Sequence, residues 1–403
     1  MTKNSRAIEL FQQYKNWEIS VIILFRAINQ GLVFFSTFVL IIPSTKQTKN
    51  MIKHLCRPLC LIVLTALTVA CTSAPKVKSL DQLLPLFTSA DVPEVGADED
   101  LDIGGPFSWM DSTKVTPAEW PGEGLAQHPM LLVGEGYNRI CIVDGGKVVW
   151  KFDCGRGWEL DDIWMLQNGE ILFTRQAWAA KVTPDKRITW RYDCAPGEEI
   201  HTLQPIGDDR AIMLVNAFPA RVVMFNHNTG EVLWEKEIEF NAERVHGQSR
   251  RLRYTCDGTY LLSYISENKV VEFDSDWNPI RQFDVHCPWS ALRLSNGNTL
   301  ITLEKERRTV EFDKDGNIVW EISLDELPEA YRLSGSQTAT RLNNGNTILC
   351  SRGDNGRAPQ MVEVTKDKEV VWALSDWRYF GPVTSVQILS EEGLSEVPGA
   401  LGK

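Results

Sequence analysis

From about residue 130 onward the chain is a succession of short apolar runs separated by polar turns. One stretch shows the grammar. Residues 291–294 (Ala-Leu-Arg-Leu) lead into a Ser-Asn-Gly-Asn turn at 295–298, and residues 299–302 (Thr-Leu-Ile-Thr) follow. Residues 309–312 (Thr-Val-Glu-Phe) lead into a second turn at 313–317, and Ile318-Val-Trp320 opens a fourth run. Asn-Gly and Asp-Gly accept the positive φ of tight hairpins, so the pattern predicts four antiparallel strands. Equivalent turns stand at Gln167–Gly169, Asp144–Gly146, Asn228–Gly230, Asp257–Gly258 and Asn343–Gly345.

The fourth run recurs. Val148-Val-Trp150, Ile188-Thr-Trp190, Val232-Leu-Trp234 and Val370-Val-Trp372 are copies, and Pro279-Ile-Arg281 is a degenerate one. The six positions stand 40, 44, 47, 39 and 52 residues apart. A period of ~40–45 residues with four strands per unit is the mark of a propeller blade. The expected fold is therefore all-β: a six-bladed β-propeller of four-stranded antiparallel blades over 129–392. Blade 1 supplies only its last three strands, at 130–133, 139–143 and 147–152. Thr384-Ser-Val-Gln-Ile-Leu389 is left over beyond blade 6, so it should complete blade 1 and close the ring. The recurring tryptophans are expected to pack between blades.

The chain has 403 residues and a formal charge of −11. Residues 1–70 hold eight Lys/Arg and two Asp/Glu, so the remainder carries 34 − 51 = −17. That charge would repel a phosphate backbone, and no nucleic-acid partner is expected. Six of the nine cysteines are spread along the ring without a CxxC pair, so neither a zinc site nor a disulfide framework is indicated. Cys154, Cys194 and Cys287 fall in the same connecting loop of three blades. They read as small half-buried thiols, with a cross-blade disulfide as the alternative.

The N-terminal part reads differently. Met51-Ile-Lys-His-Leu-Cys-Arg57 is a basic start, 59–70 is apolar, and Val69-Ala70-Cys71 closes the run. Residues 51–71 resemble a bacterial lipoprotein signal peptide in which Cys71 is lipidated, although Thr68 stands where a larger aliphatic residue is usual. Residues 1–50 are either a non-native extension before a true start at Met51 or a membrane segment around 21–42. Residues 72–128 read as a tether with one short helix capped by Ser79, and 393–403 as a tail.

In a four-stranded blade the short A–B and C–D turns share one face. The B–C loops and D–A crossovers share the other, where a ligand site would be built. Strand A starts supply Asp161, His201, Ser249 or Arg250, Trp289, Gln337 and Thr384. Strand B ends supply Gly134, Arg175, Asn216, Tyr264, Glu304 and Arg352, and His246 precedes its strand by a few residues. This set is polar and differs in every blade, which a purely structural ring does not require. His201 and His246 are the candidate catalytic groups, since imidazole can act as base, nucleophile or ligand near neutral pH. Asp161, Arg175, Asn216, Trp289, Glu304, Gln337 and Arg352 are the candidate ligand contacts. Two arginines beside an aromatic platform suit a glycan or an anionic small molecule. Trp289 is expected to face that ligand, whereas His227, in a C–D turn, is expected in solvent. No metal-ligating motif stands at a diagnostic spacing, no metal is assigned, and no cofactor is named. The acidic pairs Asp161-Asp162 and Glu198-Glu199 could cap loops or hold a cation.

Asn228-Thr-Gly-Glu-Val-Leu-Trp234, Lys314-Asp-Gly-Asn-Ile-Val-Trp320 and Asn343-Asn-Gly-Asn-Thr-Ile-Leu349 resemble the PQQ-like and arylsulfotransferase-like propeller repeats over about 130–390. The resemblance implies blade architecture directly and function only by way of the site. One such family member is an outer-membrane assembly lipoprotein, a scaffold with a ring larger than six blades. Another is a six-bladed aryl-sulfate sulfotransferase whose channel histidine takes up the sulfuryl group. By that resemblance His201 would be the nucleophile, with Arg175 and Arg352 holding the anion. His201-Thr-Leu-Gln204 departs from the enzyme's pattern, which favours Asn at the last position. The leading expectation is a lipid-anchored propeller of the cell envelope, on an outer membrane and facing periplasm or exterior, that binds a glycan or anionic small molecule. The alternatives are a sulfotransferase-like enzyme or glycan hydrolase or lyase on the same face, and a scaffold for an envelope protein partner.

Overall fold

The computed structural model describes residues 21–29, 32–40, 78–87, 113–154, 159–353, 356–378 and 380–403. The expected signal peptide, Cys71 and the acidic run at 97–102 lie outside the described residues. The chain divides into two compact units, 1–76 and 77–403. In the first, Val21–Asn29 pairs antiparallel with Leu32–Leu40. Among the described residues no helix is long and apolar enough to cross a membrane.

The second unit holds six four-stranded antiparallel sheets. The inner strands A of blades 2 to 6 are Ile163–Met165, Glu199–Ile206, Leu252–Tyr254, Pro288–Arg293 and Thr338–Arg341. Strand A of blade 1 is Val386–Ile388, from the far end of the chain. It pairs Val386 with Leu132, Gln387 with Leu131 and Ile388 with Met130. The ring therefore closes as expected, and the molecule is a six-bladed β-propeller.

Neighbouring blades share no backbone ladder, so the inner strands need other partners for their edge groups. Side chains provide them. Gln204 of blade 3 accepts from Tyr254 N (2.8 Å) and donates to Tyr254 O (3.0 Å) of blade 4. Trp164 Nε1 donates to Leu203 O, Thr302 Oγ1 to Gln337 O and Thr338 Oγ1 to Thr384 O. Asp162, wholly buried, takes Arg253 in a two-pronged ion pair at 2.8 and 3.1 Å. Gln204 thus reaches across to the next inner strand, a span suited to its length.

The outer tryptophans tie several blades to the next blade or to the segment before the ring. Trp150 Nε1 donates to Pro184 O, Trp320 Nε1 to Lys366 O and Trp372 Nε1 to Gly124 O. Trp190 stacks on Phe225 with ring centroids 4.4 Å apart. In blade 4 the position opposite Glu272 that should carry tryptophan carries Arg281, just as Trp320 faces Glu311 and Trp372 faces Glu363. A groove of about 520 Å³ opens between blades 4 and 5, lined by Val285, Leu303, Val310, Phe312 and Ile318 among others.

The tether's described parts pack on the ring. Leu80–Leu83 forms the expected helix after Ser79, and Phe87 meets Trp150 edge-on at 5.4 Å. Residues 113–128 lie along blades 5 and 6, with Trp377 N bonded to Lys114 O and Trp120 against Tyr331. The tail covers part of the face expected to be plain. Ser395 donates to Met165 O, Gly207 N to Glu396 O and Arg341 N to Gly402 O. Lys403 Nζ reaches Ile163 O inside the channel, over the Trp164 ring.

One side-chain expectation needs correction, and one of two open readings is decided. His227 is buried rather than solvent-exposed, because Lys181 folds over the turn with its ammonium 3.4 Å from His227 Nδ1. Burial and the Lys181 charge together push its imidazole down to about 4. No cross-blade disulfide forms. Cys141, Cys154, Cys194, Cys256, Cys287 and Cys350 are free thiols.

The tryptophan belt makes a measurable contrast. Trp372→Ala should cost about 3–5 kcal/mol in urea unfolding, since it removes a wholly buried ring. Arg281→Ala, at the equivalent but half-open position, should cost less than about 1 kcal/mol.

Candidate functional site

The crossover face collects the N-terminal ends of the inner strands. Two of those strands carry a bulge there. In blade 3 the register passes from Ile200 to Thr202, so His201 stands outside the ladder. In blade 5 it passes from Pro288 to Ser290 and leaves Trp289 in the same place. A bulge re-aims the extra side chain, and here it turns both toward the channel mouth. His246 sits on the short 3-10 turn Val245–Gly247 that leads to strand A of blade 4.

His201 is the centre of a polar network. Its Nδ1 is 2.6 Å from Asp161 Oδ2 and its Nε2 is 2.7 Å from Glu199 Oε2. The same Glu199 oxygen lies 2.9 Å from His246 Nδ1, and Gln176 donates to the other at 2.9 Å. Arg250 places one guanidinium nitrogen 2.6 Å from His246 Nε2 and another 2.6 Å from His246 O. An arginine can only donate, so His246 Nε2 accepts and its proton sits on Nδ1, toward Glu199. Arg251 braces the floor by donating to His201 O and Asp161 O. The two imidazole centroids are 5.5 Å apart. His201 is 1% exposed, while the His246 side chain is 46% exposed.

Opposed forces set the charges. Burial and Arg250 push the His201 imidazole down, yet Asp161 and Glu199 prevail and hold it above its usual value. Burial would raise Asp161, but His201, Arg250 and Arg251 keep it below the normal carboxylate range. Glu199 is likewise lowered: the bonds from His201 and His246 outweigh its burial. Glu135, just after blade 1's strand B, behaves in the opposite way. Burial raises it to about 8 despite Arg352 Nη2 at 3.4 Å, helped by the charges of Asp161 and Glu159.

The expected residues fall into three groups. His201, His246 and Asp161 meet in the network. Glu304, Gln337 and Arg352 line an adjoining cavity of about 290 Å³ together with Lys305, Arg307, Ser334 and Ser351. Gln337 Nε2 donates to Glu304 at 3.2 Å, and the Arg352 side chain is 49% exposed. Arg175 and Asn216 are buried beneath the surface, and Asn216 Nδ2 holds Ser249 O at 2.9 Å. Trp289 is not the open platform expected. It is buried, with the Arg250 guanidinium 5.1 Å from its ring centroid. Glu135, Glu159, Arg250 and Glu199 complete the site. Alignment on turn glycines missed Glu135 and Glu159, which lie one or two places from the named Gly134 and Asp161. The channel below is nearly filled, with about 10 Å³ free among Arg251, Arg253, Thr338 and Lys403.

Against known proteins, a family model described as "Outer membrane protein assembly factor BamB" matches residues 108–276, less than half of the chain. A protein of unknown function from Bacteroides caccae is 27% identical. Its match covers 64% of this chain and 97% of that one, with a TM-score of 0.58. A catalytically inactive virginiamycin B lyase from Staphylococcus aureus, solved with quinupristin, is 11% identical. That match covers 65% of this chain and 88% of the lyase, with a TM-score of 0.45. No curated protein matches the chain. What the comparisons carry is the repeat class and the propeller fold.

Glu135 supplies a signed pH test. Its folded-state value, about 8, lies above the ordinary carboxylate value, so the folded state binds the extra proton. The stability this contributes is present below about pH 4.5 and is lost as pH rises toward 8. Thermal melts from pH 5 to 8.5 should show wild type falling relative to Glu135→Gln. Parallel melting curves for the two proteins would mean that Glu135 is ionised throughout.

Proposed function

We propose that this propeller is a lipid-anchored ring of the cell envelope that binds an acidic sugar at its crossover face. The observation that carries the reading is the cavity of about 290 Å³ in which the half-open Arg352 stands beside Glu304, Gln337, Ser334 and Ser351. Its volume suits a single sugar ring, at the small end of ligand pockets. Arg352 would hold a carboxylate or sulfate, while the amide, hydroxyls and Glu304 would meet sugar hydroxyls. His246, exposed at the same mouth, would face the ligand's far side. The near-filled channel would confine binding to the mouth.

The network argues for binding ahead of sulfuryl transfer. Both nitrogens of His201 face carboxylates, so a nucleophilic attack would first require Glu199 to leave Nε2. A second reading, a scaffold for an envelope protein, draws on the family match over 108–276. The apolar residues Ile280, Ile318 and Val319 exposed on outer strands would then face the partner.

Titration calorimetry of the full chain against glucuronate, a sulfated monosaccharide and glucose tests the proposal. Acidic sugars should bind and glucose should bind at least tenfold more weakly. Arg352→Ala should remove that preference. Equal affinity for all three, or none, would overturn the reading and leave the scaffold. Mass spectrometry of the mature protein checks the anchor, with a lipidated N-terminal Cys71 as the expected species.

A further inference from the structure

We propose that the His201–His246 network is a binding site for one divalent transition-metal ion, with Glu159, Glu199, His201 and His246 as its ligands. Glu159, His201 and His246 each offer one ligand atom, all within 4.8 Å of one another. Glu199 Oε2 already lies 2.7 Å from His201 Nε2 and 2.9 Å from His246 Nδ1; the ion would take the place of the Nδ1 proton, which moves to Nε2 as Arg250 gives up its bond there. Ligand pairs around an ion with ~2.1 Å bonds stand roughly 3.0–3.4 Å apart. Glu199, His201 and His246 would need shifts of only a few tenths of an ångström, whereas Glu159, grouped with the imidazoles within 4.8 Å, would have to swing further in.

Three independent features support a metal over a plain salt-bridge cluster. Glu159 Oε2 is shielded from solvent and has no hydrogen-bond partner, although it lies 3.5 Å from His201 Nδ1 and 3.8 Å from Arg250. A buried carboxylate oxygen left without a donor is costly, and an ion would satisfy it. Asp161 binds His201 Nδ1 at 2.6 Å and leaves Nε2 to face Glu199, the carboxylate–histidine–metal arrangement that orients a ligating imidazole. Gln176 fixes the remote oxygen of Glu199 in the same supporting way. Finally, Glu159, Asp161 and Glu199 bring three carboxylates around the two imidazoles, an anionic set that a divalent cation can share with Arg250 and Arg251.

The donor set selects the ion. Two imidazoles with two carboxylates suit Zn²⁺, Mn²⁺ or Fe²⁺, whereas Ca²⁺ and Mg²⁺ prefer all-oxygen cages. His246 is open to solvent, so the ion would keep a water-facing position where a ligand's oxygen could bind. The site stands on its own geometry and does not depend on the sugar reading.

The test uses the full chain stripped with chelator and titrated with ZnCl2 and with MnCl2 in a calorimeter, with bound metal counted by mass spectrometry. One equivalent should bind. Glu159→Gln and His246→Ala should each weaken binding at least tenfold. His286→Ala, an exposed histidine on the blade 4–5 groove, should not. Failure to take up either ion stoichiometrically, or uptake unchanged in both site variants, would overturn the proposal. Sugar titrations on metal-free protein separate the two claims. Sugar binding without metal uptake sinks the metal site alone, and metal uptake without sugar binding sinks the sugar reading alone.

Discussion

Three backbone pairings carry the architecture: Val386 with Leu132, Gln387 with Leu131 and Ile388 with Met130. They join the two ends of a chain whose neighbouring blades share no backbone ladder. A sheet edge left open at blade 1 would expose unpaired backbone groups and let the ring splay. The polar network at the mouth runs around the same circle. Asp161 to His201 links blade 2 to blade 3, Glu199 to His246 links blade 3 to blade 4, and Arg352 to Glu135 links blade 6 to blade 1. Closure therefore fixes more than stability, because it sets the spacing of every charged group at the mouth.

The mouth has a consistent electrostatic logic. Its carboxylates are crowded, and the protein settles them in two ways. Asp161 and Glu199 stay ionised because histidine and arginine face them. Glu135 keeps its proton near neutral pH because burial prevails over Arg352 and Arg250. The result is a site with donors and acceptors of both kinds within a few ångströms. The other face of the ring is partly capped by the tail, and Lys403 occupies the channel beneath.

Much of this was legible in the residue pattern. The period of Val-Val-Trp and its relatives revealed the six blades, and the unpaired run at 384–389 revealed closure. Asn-Gly and Asp-Gly turns placed the strands within a residue or two. What the pattern hid is local and three-dimensional. The bulges at His201 and Trp289 do not show in alternation, since one extra residue leaves the hydrophobic period on both sides intact. Burial of Arg175, Trp289 and His227 depends on neighbours from adjacent blades, which no local window contains. Glu135 and Glu159 lie just outside the positions that alignment on turn glycines selects, yet they set the charge of the site. Acidic residues just before an inner strand, as Glu159, or just past a strand B, as Glu135, are the signal that would have found them.

The central claim is that the closing strand and the mouth network form one cooperative structure. Native-state hydrogen exchange tests it most directly, with peptides covering 384–389 and 199–206 followed against the global unfolding rate. Both should exchange together, in the same event as the core strands. Rapid, independent exchange of 384–389 while 199–206 stays protected would show that the mouth holds without the closing strand, and would contradict the account.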